Sequence, residues 1–447
     1  MIYQKLLNSL DFSGNIDLYL RKVEENNFNY KLIFFSSLID EILLSELQRS
    51  IRLSKTKDEV VSHLDNIKIK LVYSIEDAIN YLYEGQVILY VEGFDYFILV
   101  DIKKIPIRSL SEPETEKSIR GSKDGFNESI ITNISLIRSR IKSSKLKIEG
   151  NKVGDYTKTS VGIIYIDDKV DKVKLNKLKK KISNIDIESL VMSDRALEER
   201  LFNQNKTIFP LVRYTERPDV ASIYLMEGHI ILLVDTSSSC IIVPISLFDH
   251  LKNIDEYRQN FILGNITKIL RFIGCILSIY FLPISYILST SNIELLNIEN
   301  QSILPIWSQF VIGVFVIELF RIAVVHTPNT FSSNLSIVVG IILGEISMSL
   351  GIFMEDVLIV LAIFTISNFS IPSYELSTCN RYLSIIYFVV SILFRESGLL
   401  VVNLIILIHL MSIKVLGYPY LSPLIPLDLK KLKTKLFRKN PKKNKKL

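Results

Sequence analysis

The segment SIRGSKDGFNESI, residues 118–130, combines residue types that could bind a phosphate group. Gly121 and Gly125 flank Lys123, and a glycine-rich turn can surround phosphate with backbone N–H groups. A dinucleotide-binding loop, however, follows a β-strand directly. This segment follows the polar stretch SLSEPETEKS instead. The pattern therefore disfavours a nucleotide site, and we interpret the segment as a junction in which the glycines permit a tight turn.

The sequence contains no recognisable catalytic or metal-binding motif. It lacks the glycine-rich lysine loop of nucleotide hydrolases, the Gly-x-Ser-x-Gly elbow of hydrolases and the His-Glu-x-x-His motif of metalloproteases. The five histidines are scattered, and Cys240, Cys275 and Cys379 lie too far apart for a zinc or disulfide framework. We therefore expect no enzyme, no catalytic residue, no metal and no cofactor.

Two segment pairs in the first 265 residues indicate an internal repeat. Leu32–Ile51 matches Ile163–Ile182, and each predicts a short strand followed by an amphipathic helix. Tyr81–Val100 matches Tyr224–Val243, and each predicts a helix end, Glu-Gly, a strand, a turn and a second strand. The ordered pairs predict two related α/β subdomains in tandem, although chance similarity of short β-rich segments is the alternative.

A polar linker, residues 106–124, separates the two copies, and a helix is predicted after it. Its apolar residues recur at helical spacing: Phe126, Ile130, Ile134, Ile137 and Ile141. Basic residues favour the C-terminal end of a helix because they oppose its dipole. Three of them lie near the end of this helix, namely Arg138, Arg140 and Lys142.

The second half of the chain is strongly apolar and predicts membrane spans, which need roughly 20 apolar residues each. The predicted segments are Ile266–Leu288, Ile303–Val325, Leu335–Phe353, the shorter Val357–Ile371, and Tyr382–Ser412. The last is too long for one ordinary span and is expected to break at RESG, residues 395–398, into either two short segments or one bent pair.

Ionisable residues and proline inside these segments are candidate sites in the membrane because polar groups there usually face protein or water. Glu318 and Arg321 are spaced i, i+3 and can form an ion pair, either structural or part of a transport path. Glu345 lies beside GIILG, a small-xxx-small packing pattern, and could face water or a neighbouring helix. Pro372 and Glu375 mark either a simple helix end or a hinge.

Charge distribution predicts the orientation of the chain in the membrane. Ten Lys or Arg and one Asp lie between Asp428 and Leu447, whereas the whole chain has a net charge of only +6. Such a tail favours anionic lipid headgroups and the cytoplasmic side. Lys268 and Arg271 lie at the start of the first span, so both termini are expected to be cytoplasmic, with an even number of crossings. The N-terminus does not resemble a signal peptide.

The predicted fold class is a soluble N-terminal domain of tandem α/β subdomains, followed by an all-α multi-pass membrane domain with four to six crossings. The expected boundaries are 1–110 for subdomain 1, 111–144 for the linker and connecting helix, 145–262 for subdomain 2, 263–416 for the membrane domain and 417–447 for the basic cytoplasmic tail.

Five motifs, spread in order over most of the chain, resemble the A subunits of GerA-type spore germinant receptors. They are RGSKDGFNESIITNISLIRSRIK (Arg120–Lys142), FPLVRYTERPDV (Phe209–Val220), EGHIILLVD (Glu227–Asp235), SIPSYELS (Ser370–Ser377) and GYPYLSPLIPL (Gly417–Leu427). The TERPD run is the most specific of them. The lysine-rich end after Leu427 departs from the family pattern.

The resemblance implies a multi-pass protein of the endospore inner membrane that works with a transporter-like B subunit and a lipoprotein C subunit. Nutrients are expected to bind mainly the B subunit. The A subunit is expected to form a homo-oligomeric ring that conducts ions when germination starts. An A-type paralogue of the dipicolinate-release system shares these motifs and stays open. A transporter with its own substrate site and a scaffold without a pore are further alternatives. Nucleic acid is not an expected partner.

The residues of the soluble motifs themselves favour interface or structural roles, with ligand binding as the alternative. Arg120, Gly121, Gly125 and Phe126 are expected at a subdomain or subunit interface. A second group, Glu216, Arg217, Pro218 and Asp219, is expected to be structural. Its Pro-Asp pair suits the first turn of a helix that leads to Leu225, and its arginine could form a salt bridge across an interface.

Overall fold

The chain forms two compact units. The computed structural model describes residues 2–24, 28–64, 68–104, 113, 116, 121–202, 207–291, 302–326 and 337–437. The first unit comprises Met1–Thr207, Leu211–Ile245 and Val415–Tyr418. The second unit comprises Ile208–Pro210, Ser246–Lys414 and Pro419–Leu447.

The first unit contains two copies of one arrangement of strands and helices. The first copy consists of α1 (Ile2–Ser9), β1 (Leu18–Glu24), β2 (Asn29–Phe35), α2 (Glu41–Arg52), α3 (Glu59–Ser62), β3 (Ile69–Val72), α4 (Ile75–Tyr83), β4 (Val87–Val91) and β5 (Phe97–Val100). The second copy consists of α5 (Ile130–Arg140), β6 (Leu146–Val153), β7 (Thr159–Ile166), α6 (Lys172–Ser183), α7 (Ser193–Phe202), β8 (Arg213–Thr215), α8 (Pro218–Met226), β9 (Ile230–Val234) and β10 (Cys240–Val243).

Both sheets have the same topology, which confirms the tandem α/β prediction. The first sheet has the strand order β1-β2-β4-β5-β3 and the second β6-β7-β9-β10-β8. Neighbouring strands are antiparallel throughout both sheets. The central registers also correspond, because Ile33 pairs with Ile88 in the first sheet and Ile164 pairs with Ile231 in the second.

Helices cover both faces of the first sheet, which explains why its central strands are apolar without alternation. Leu32 of β2 belongs to a core cluster with Leu47 of α2. The next residue along the strand, Ile33, belongs to a separate cluster with Leu6 of α1 and Leu82 of α4. Successive side chains of one strand thus reach two different apolar cores.

The two copies also share their local start and stop signals. Asp40 caps α2 by accepting a hydrogen bond from the Ile42 N–H at 2.9 Å, and Asp171 caps α6 by accepting one from the Val173 N–H at 3.0 Å. The Glu-Gly turn after α4 and after α8 uses a glycine with positive φ, 97° at Gly85 and 92° at Gly228.

The connecting helix begins later than its apolar spacing predicts. Ser129 is the N-cap of α5 and accepts a hydrogen bond from the Thr132 N–H at 3.5 Å. The Ser129 N–H itself donates to Asn127 Oδ1 at 3.0 Å, which turns the chain before the helix. Phe126 therefore lies in the preceding loop and not in the helix. The helix packs against α8, as α1 packs against α4, and thus occupies the position of α1 in the second copy.

The second unit is mainly helical. Its elements are α9 (Leu247–His250), a 3₁₀ turn (Ile254–Arg258), α10 (Phe261–Thr290), α11 (Ile306–His326), α12 (Ile337–Ser349), α13 (Glu355–Phe369), α14 (Tyr374–Ser412) and α15 (Leu429–Leu436). Two-residue strands follow α14, namely β11 (Lys414–Val415) and β12 (Tyr418–Pro419). Within α12, Ile342–Ile346 forms a π-helical turn.

Three helices of the described part are long and apolar enough to cross a membrane, namely α10, α11 and α14. This finding agrees with the predicted all-α membrane domain. The shorter α12 and α13 coincide with the third and fourth predicted segments. The predicted four to six crossings stay a prediction.

The last long helix folds back on itself at the predicted break. Arg395 has φ 50° and ψ −138°, which interrupts the helical conformation. In a straight helix, residues 387 and 403 would be about 24 Å apart. Tyr387 Oη nevertheless donates to Asn403 Oδ1 at 3.1 Å. Residues 374–394 and 396–412 are therefore two antiparallel arms, and the break lies within RESG as predicted.

The start of α14 was predicted eight residues too late, because its first turns contain polar and charged residues. Ser373 caps the helix, and the buried Asn380 donates to Ser278 Oγ of α10 at 3.0 Å. Arg381 is also buried and donates to Glu318. Polar partners on other helices thus allow these residues inside the bundle.

Candidate functional site

The two soluble motifs that the sequence singled out lie side by side in the first unit. The Phe126 N–H donates to the backbone oxygen of Glu216 at 2.7 Å. Gly121 has a φ of 136°, a conformation that favours glycine. Gly125 and Phe126 are buried, whereas Arg120 lies outside the described residues. The loop therefore holds the start of α8 through its backbone.

The start of α8 is formed as its sequence predicts. Pro218 is the first helical residue and Asp219 lies in the first turn. Arg217 is 3% exposed, and its guanidinium donates to both oxygens of Asp219, at 3.1 and 2.8 Å. This bidentate pair is made within the chain, and its opposite charges compensate each other.

A second buried guanidinium lies close to this pair in sequence and was missed by sequence reasoning. Arg213 is 2% exposed and donates to Tyr224 Oη at 2.8 Å and to Glu116 Oε1 at 3.3 Å. The Thr215 hydroxyl donates to the other oxygen of Glu116. Glu116 belongs to the predicted linker, so the linker supplies a counter-charge to the second sheet.

The two copies are joined by another buried ion pair that sequence reasoning missed. Arg138 Nε and Nη2 donate to the two carboxylate oxygens of Asp17, each at 2.6 Å. Nη2 also donates to Asn15 Oδ1 at 2.9 Å, and the guanidinium lies 4.0 Å from the ring centroid of Phe35. The prediction that Arg138 serves to oppose the helix dipole does not account for this burial.

In the second unit, the predicted pair of Glu318 and Arg321 forms and has a third member. Arg321 Nε and Nη2 donate to Glu318 Oε2 at 3.0 and 2.9 Å. Arg381 of α14 donates to Glu318 Oε1 at 3.3 Å. Arg321 Nη1 also lies 3.4 Å from Tyr374 Oη. One carboxylate therefore links α11 to α14 through two guanidinium groups, and Arg381 could not be found from i, i+3 spacing.

Glu345 lies in the π-helical turn of α12 and is exposed. A Cβ atom added to Gly340 or Gly344 would meet no atom within 4 Å in the described part of the chain. None of the described residues therefore covers Gly340 and Gly344 of the predicted small-xxx-small face. Ser347 Oγ donates to the Ile342 backbone oxygen at 2.7 Å and thereby satisfies a carbonyl group of the wide turn.

Pro372 and Glu375 lie at the turn between α13 and α14. Ser373 caps α14 and donates from Oγ to Glu375 Oε2 at 2.8 Å. His250 Nδ1 lies 2.9 Å from the same Ser373 Oγ, and His250 Nε2 lies 3.3 Å from the Pro210 backbone oxygen. The turn is thus held by a buried histidine on α9, which agrees with a helix end and leaves the hinge a prediction.

The described residues contain no group of three or more His, Cys, Asp or Glu side chains that could hold a metal ion. Cys240, Cys275 and Cys379 are buried free thiols. The charged clusters described above each join acidic to basic side chains within the chain.

Comparison with known sequences shows to which family this chain belongs. The model described as Bacillus/Clostridium GerA spore germination protein matches residues 5–447. The chain belongs to the GerA family.

Two relatives are similar in sequence to this chain over nearly its whole length. Stage V sporulation protein AF of Bacillus subtilis (strain 168) is 34% identical over 439 residues, which cover 95% of this chain and 89% of that protein. Spore germination protein KA of the same organism is 27% identical over 453 residues, which cover 96% of this chain and 82% of that protein.

Part of the chain is also similar to a solved structure. That structure is the N-terminal domain of the A subunit of the Bacillus megaterium spore germinant receptor GerK3, with 25% sequence identity and a TM-score of 0.41. The match covers 54% of this chain and 91% of that chain. The GerA family description refers to spore germination and names no enzymatic reaction.

Proposed function

We propose that this GerA-family chain is the A subunit of a nutrient germinant receptor, and that copies of it assemble in the spore inner membrane around an ion path. The observation that carries this proposal is the exposure of Glu345 on an apolar helix. Its neighbours Ile341, Ile342 and Ile346 are 46 to 50% exposed, so this part of α12 is apolar except for the carboxylate.

An exposed carboxylate at this position is unfavourable against lipid. A charged side chain at the centre of a bilayer costs about 2.5–3.5 kcal/mol on insertion scales and more in simulations. Gly340 and Gly344 lie on the same helix and leave room for close approach of another backbone. A second copy that packs on α12 would remove Glu345 from lipid and could place it at a water-filled path, where acidic rings favour cations.

The π-helical turn adds a structural reason to place the ion path at α12. A π-helical turn inserts an extra residue into an α-helix, and such turns are frequent at functional sites. Glu345 lies within this turn, and the Ser347 hydroxyl donates a hydrogen bond to the Ile342 backbone oxygen. A change between π and α geometry would rotate Glu345 about the axis of α12, which is a simple means of gating.

The proposed topology places both termini on the cytoplasmic side, which is the core of the spore. The reversal at Arg395 supports an even number of crossings, since it divides α14 into two antiparallel arms of about 31 and 25 Å. The lysine-rich end after Leu427 supports the cytoplasmic assignment of the C-terminus. Anionic lipid is the expected partner of that tail.

The proposed protein partners are further copies of this chain, a transporter-like B subunit and a lipoprotein C subunit. We assign a structural role to the soluble cluster of Phe126, Glu216, Arg217, Pro218 and Asp219, because its hydrogen bonds are made within the chain. Its exposed loop at Gly121 remains available for an interface with a neighbouring subunit.

Ion flux from vesicles that contain the purified oligomer tests the ion path. Glu345→Gln keeps the size of the side chain and removes its charge, so we expect altered ion release with unchanged assembly in native electrophoresis. Glu355→Gln is the matched control because Glu355 is also exposed but lies in the first turn of α13. Unchanged flux in Glu345→Gln would contradict the role of Glu345. Absence of flux from the unmodified oligomer, with normal germination, would contradict the pore.

A second candidate is an A-type paralogue of the dipicolinate-release system. The sequence identities favour this candidate. The chain is 34% identical to stage V sporulation protein AF but 27% identical to spore germination protein KA. Deletion of the gene separates the candidates. Loss of the response to one nutrient supports the receptor subunit, whereas slower dipicolinate release with every nutrient supports the paralogue. A scaffold would pass no ions in the vesicle assay, whereas a transporter would carry a substrate of its own.

A further inference from the structure

The C-terminal helix α15 is short, basic and amphipathic. Its sequence LKKLKTKL alternates leucine with lysine at helical spacing, and none of its residues is buried. Asp428 caps it by accepting a hydrogen bond from the Lys431 N–H at 3.0 Å. Leu429 is 69% exposed. A helix with such a composition is typical of one that lies in the interface between lipid and water.

The end of this helix is fixed to the second unit beside the start of α10. Lys435 forms an ion pair with the buried Asp249 of α9. Beside this pair is a cavity of about 170 Å³ between α9, α10 and α15. Its wall is mostly apolar and includes Phe248, Leu251, Ile269 and Phe272, and its basic residues are Lys268 and Lys435. The rings of Phe248 and Phe272 are nearly parallel, at an angle of 7°.

The cavity lies near the N-terminal end of the apolar helix α10, where a membrane-spanning helix would meet the lipid headgroups. Lys268 follows the helix start at Phe261 by seven residues, or about 10 Å of helix axis. Around it, Ile262, Ile266 and Ile269 are 67, 48 and 42% exposed, so an apolar surface faces outward at the same level. Lysine at the end of a membrane helix extends its ammonium group to the headgroup region.

We propose that this cavity binds the phosphate-bearing headgroup of an anionic phospholipid. The nearby acids already have basic partners, since Asp249 pairs with Lys435 and Glu256 pairs with Arg271. Lys268 also acts electrostatically on Glu256, and the three basic groups Lys268, Arg271 and Lys435 outnumber the two acids.

The size and lining of the cavity select this ligand class. A volume of about 170 Å³ corresponds to five or six water molecules at about 30 Å³ each, enough for a phosphodiester but not for a whole lipid. The acyl chains would lie along the exposed isoleucines of α10. A soluble phosphate compound would gain nothing from the apolar wall, whereas a lipid gains contact on both the charged and the apolar side. Six further lysines and arginines follow Phe437 in the sequence and add attraction to an anionic membrane.

Native mass spectrometry of the full chain, released from nanodiscs of phosphatidylglycerol or phosphatidylcholine, tests this inference. We expect retained phosphatidylglycerol and little retained phosphatidylcholine. Lys268→Gln should lower the retained phosphatidylglycerol about fivefold, because one lysine near an anionic headgroup is worth roughly that factor. Lys431→Gln removes the same charge from an exposed position of α15, 72% exposed, and should leave retention within about twofold.

Two further measurements make the test independent of charge and of folding. Ile269→Trp adds volume to the cavity wall without changing charge and should also release the lipid, while helical circular dichroism stays unchanged. Equal losses in Lys268→Gln and Lys431→Gln would overturn the site in favour of general attraction to the tail. If all variants retained phosphatidylglycerol like the unmodified chain, the proposed site would also be overturned. Displacement of the lipid by inorganic phosphate alone would identify a free-phosphate site and overturn the lipid assignment. None of these outcomes depends on ion conduction.

Discussion

Arg138 of α5 and Asp17, which precedes β1, form a buried bidentate ion pair between the two copies of the repeated fold. Their side chains are 2 and 5% exposed. Beside them, the Ile16 N–H donates to the Ile148 backbone oxygen at 2.8 Å, and the Ile148 N–H donates to the Gly14 backbone oxygen at 2.9 Å. The two sheets are therefore joined by both main-chain hydrogen bonds and a desolvated ion pair.

Removal of Arg138 should destabilise the junction between the copies. Arg138→Met leaves Asp17 buried without its counter-charge, and breaking such a pair costs about 3–5 kcal/mol. We expect faster hydrogen exchange in peptides of β1 and β6, measured by mass spectrometry on the full chain in detergent.

The matched control is Arg140→Met on the same helix. Arg140 pairs with Asp124, and both side chains are about one fifth exposed. The expected loss is about 1 kcal/mol or less because the pair is partly solvated. Equal exchange rates in the two variants would show that the buried pair has no special role at the junction.

The two Glu-Gly turns should respond differently to alanine. Both glycines have positive φ, so Gly→Ala adds backbone strain of about 1–2 kcal/mol at either position. At Gly228, a Cβ would also lie 2.6 Å from the Lys169 backbone oxygen, whereas at Gly85 the nearest atom would be Leu38 Cβ at 3.4 Å. We expect Gly228→Ala to lower the thermal unfolding midpoint clearly more than Gly85→Ala. The reverse order would contradict the close approach at Gly228.

The contact of Asp11 with Lys147 should make the first unit sensitive to acid. The hydrogen bond from Lys147 lowers the pKa of Asp11 from its usual 3.8 to about 2. Because the pKa is lower in the folded state, the stabilisation is present above about pH 4 and is lost as the pH falls towards 2. Asp11 is 43% exposed, so solvent screening limits the effect to about 1 kcal/mol or less.

Asp11→Asn and Lys147→Gln should each remove this part of the pH dependence. The measurement is the urea midpoint of the full chain in detergent, followed by hydrogen exchange of β6 peptides between about pH 4 and pH 2. A wild-type dependence that persists in both variants would assign the acid sensitivity to other groups.

The charged cluster of the membrane unit should depend more on Glu318 than on Arg321. Glu318→Gln leaves Arg321 and Arg381 without their shared carboxylate, and an uncompensated buried charge costs about 3–5 kcal/mol. Arg321→Gln preserves the contact between Arg381 and Glu318, and the Arg321 side chain is 22% exposed. We expect a much larger loss of thermal stability in detergent for Glu318→Gln. Similar losses would indicate that Arg381 does not share the carboxylate.

Local sequence signals predicted a large part of the fold. The same apolar spacing occurs in both copies, at Leu44, Leu47 and Ile51 and at Leu175, Leu178 and Ile182. All six side chains are buried. Pro218 predicted the first turn of α8, and Arg395 lies at the predicted reversal of the last long helix. These features depend on contacts between residues a few positions apart, which a single sequence displays directly.

Long-range partners could not be predicted in the same way. Asp17 and Arg138 are separated by 121 residues, and Glu318 and Arg381 by 63. The linker residue Glu116 contacts Arg213 over 97 residues. A charged residue on a helix usually lies on its solvated face, so spacing alone predicts that the Arg138 side chain is exposed to solvent. Only its partner from the other copy allows it to be buried.

The sequence by itself determined the tandem α/β pattern, the apolar segments, the basic tail and the GerA family. These features can be predicted from periodicity and composition, because the apolar pattern of a helix or a strand lies in its own residues. The tertiary structure decided which charges are paired, that Phe126 holds the start of α8 and that Glu345 lies exposed on a π-helical turn. It also formed the cavity between Lys268 and Lys435, since the free energy of a buried charge depends on groups that only folding brings close.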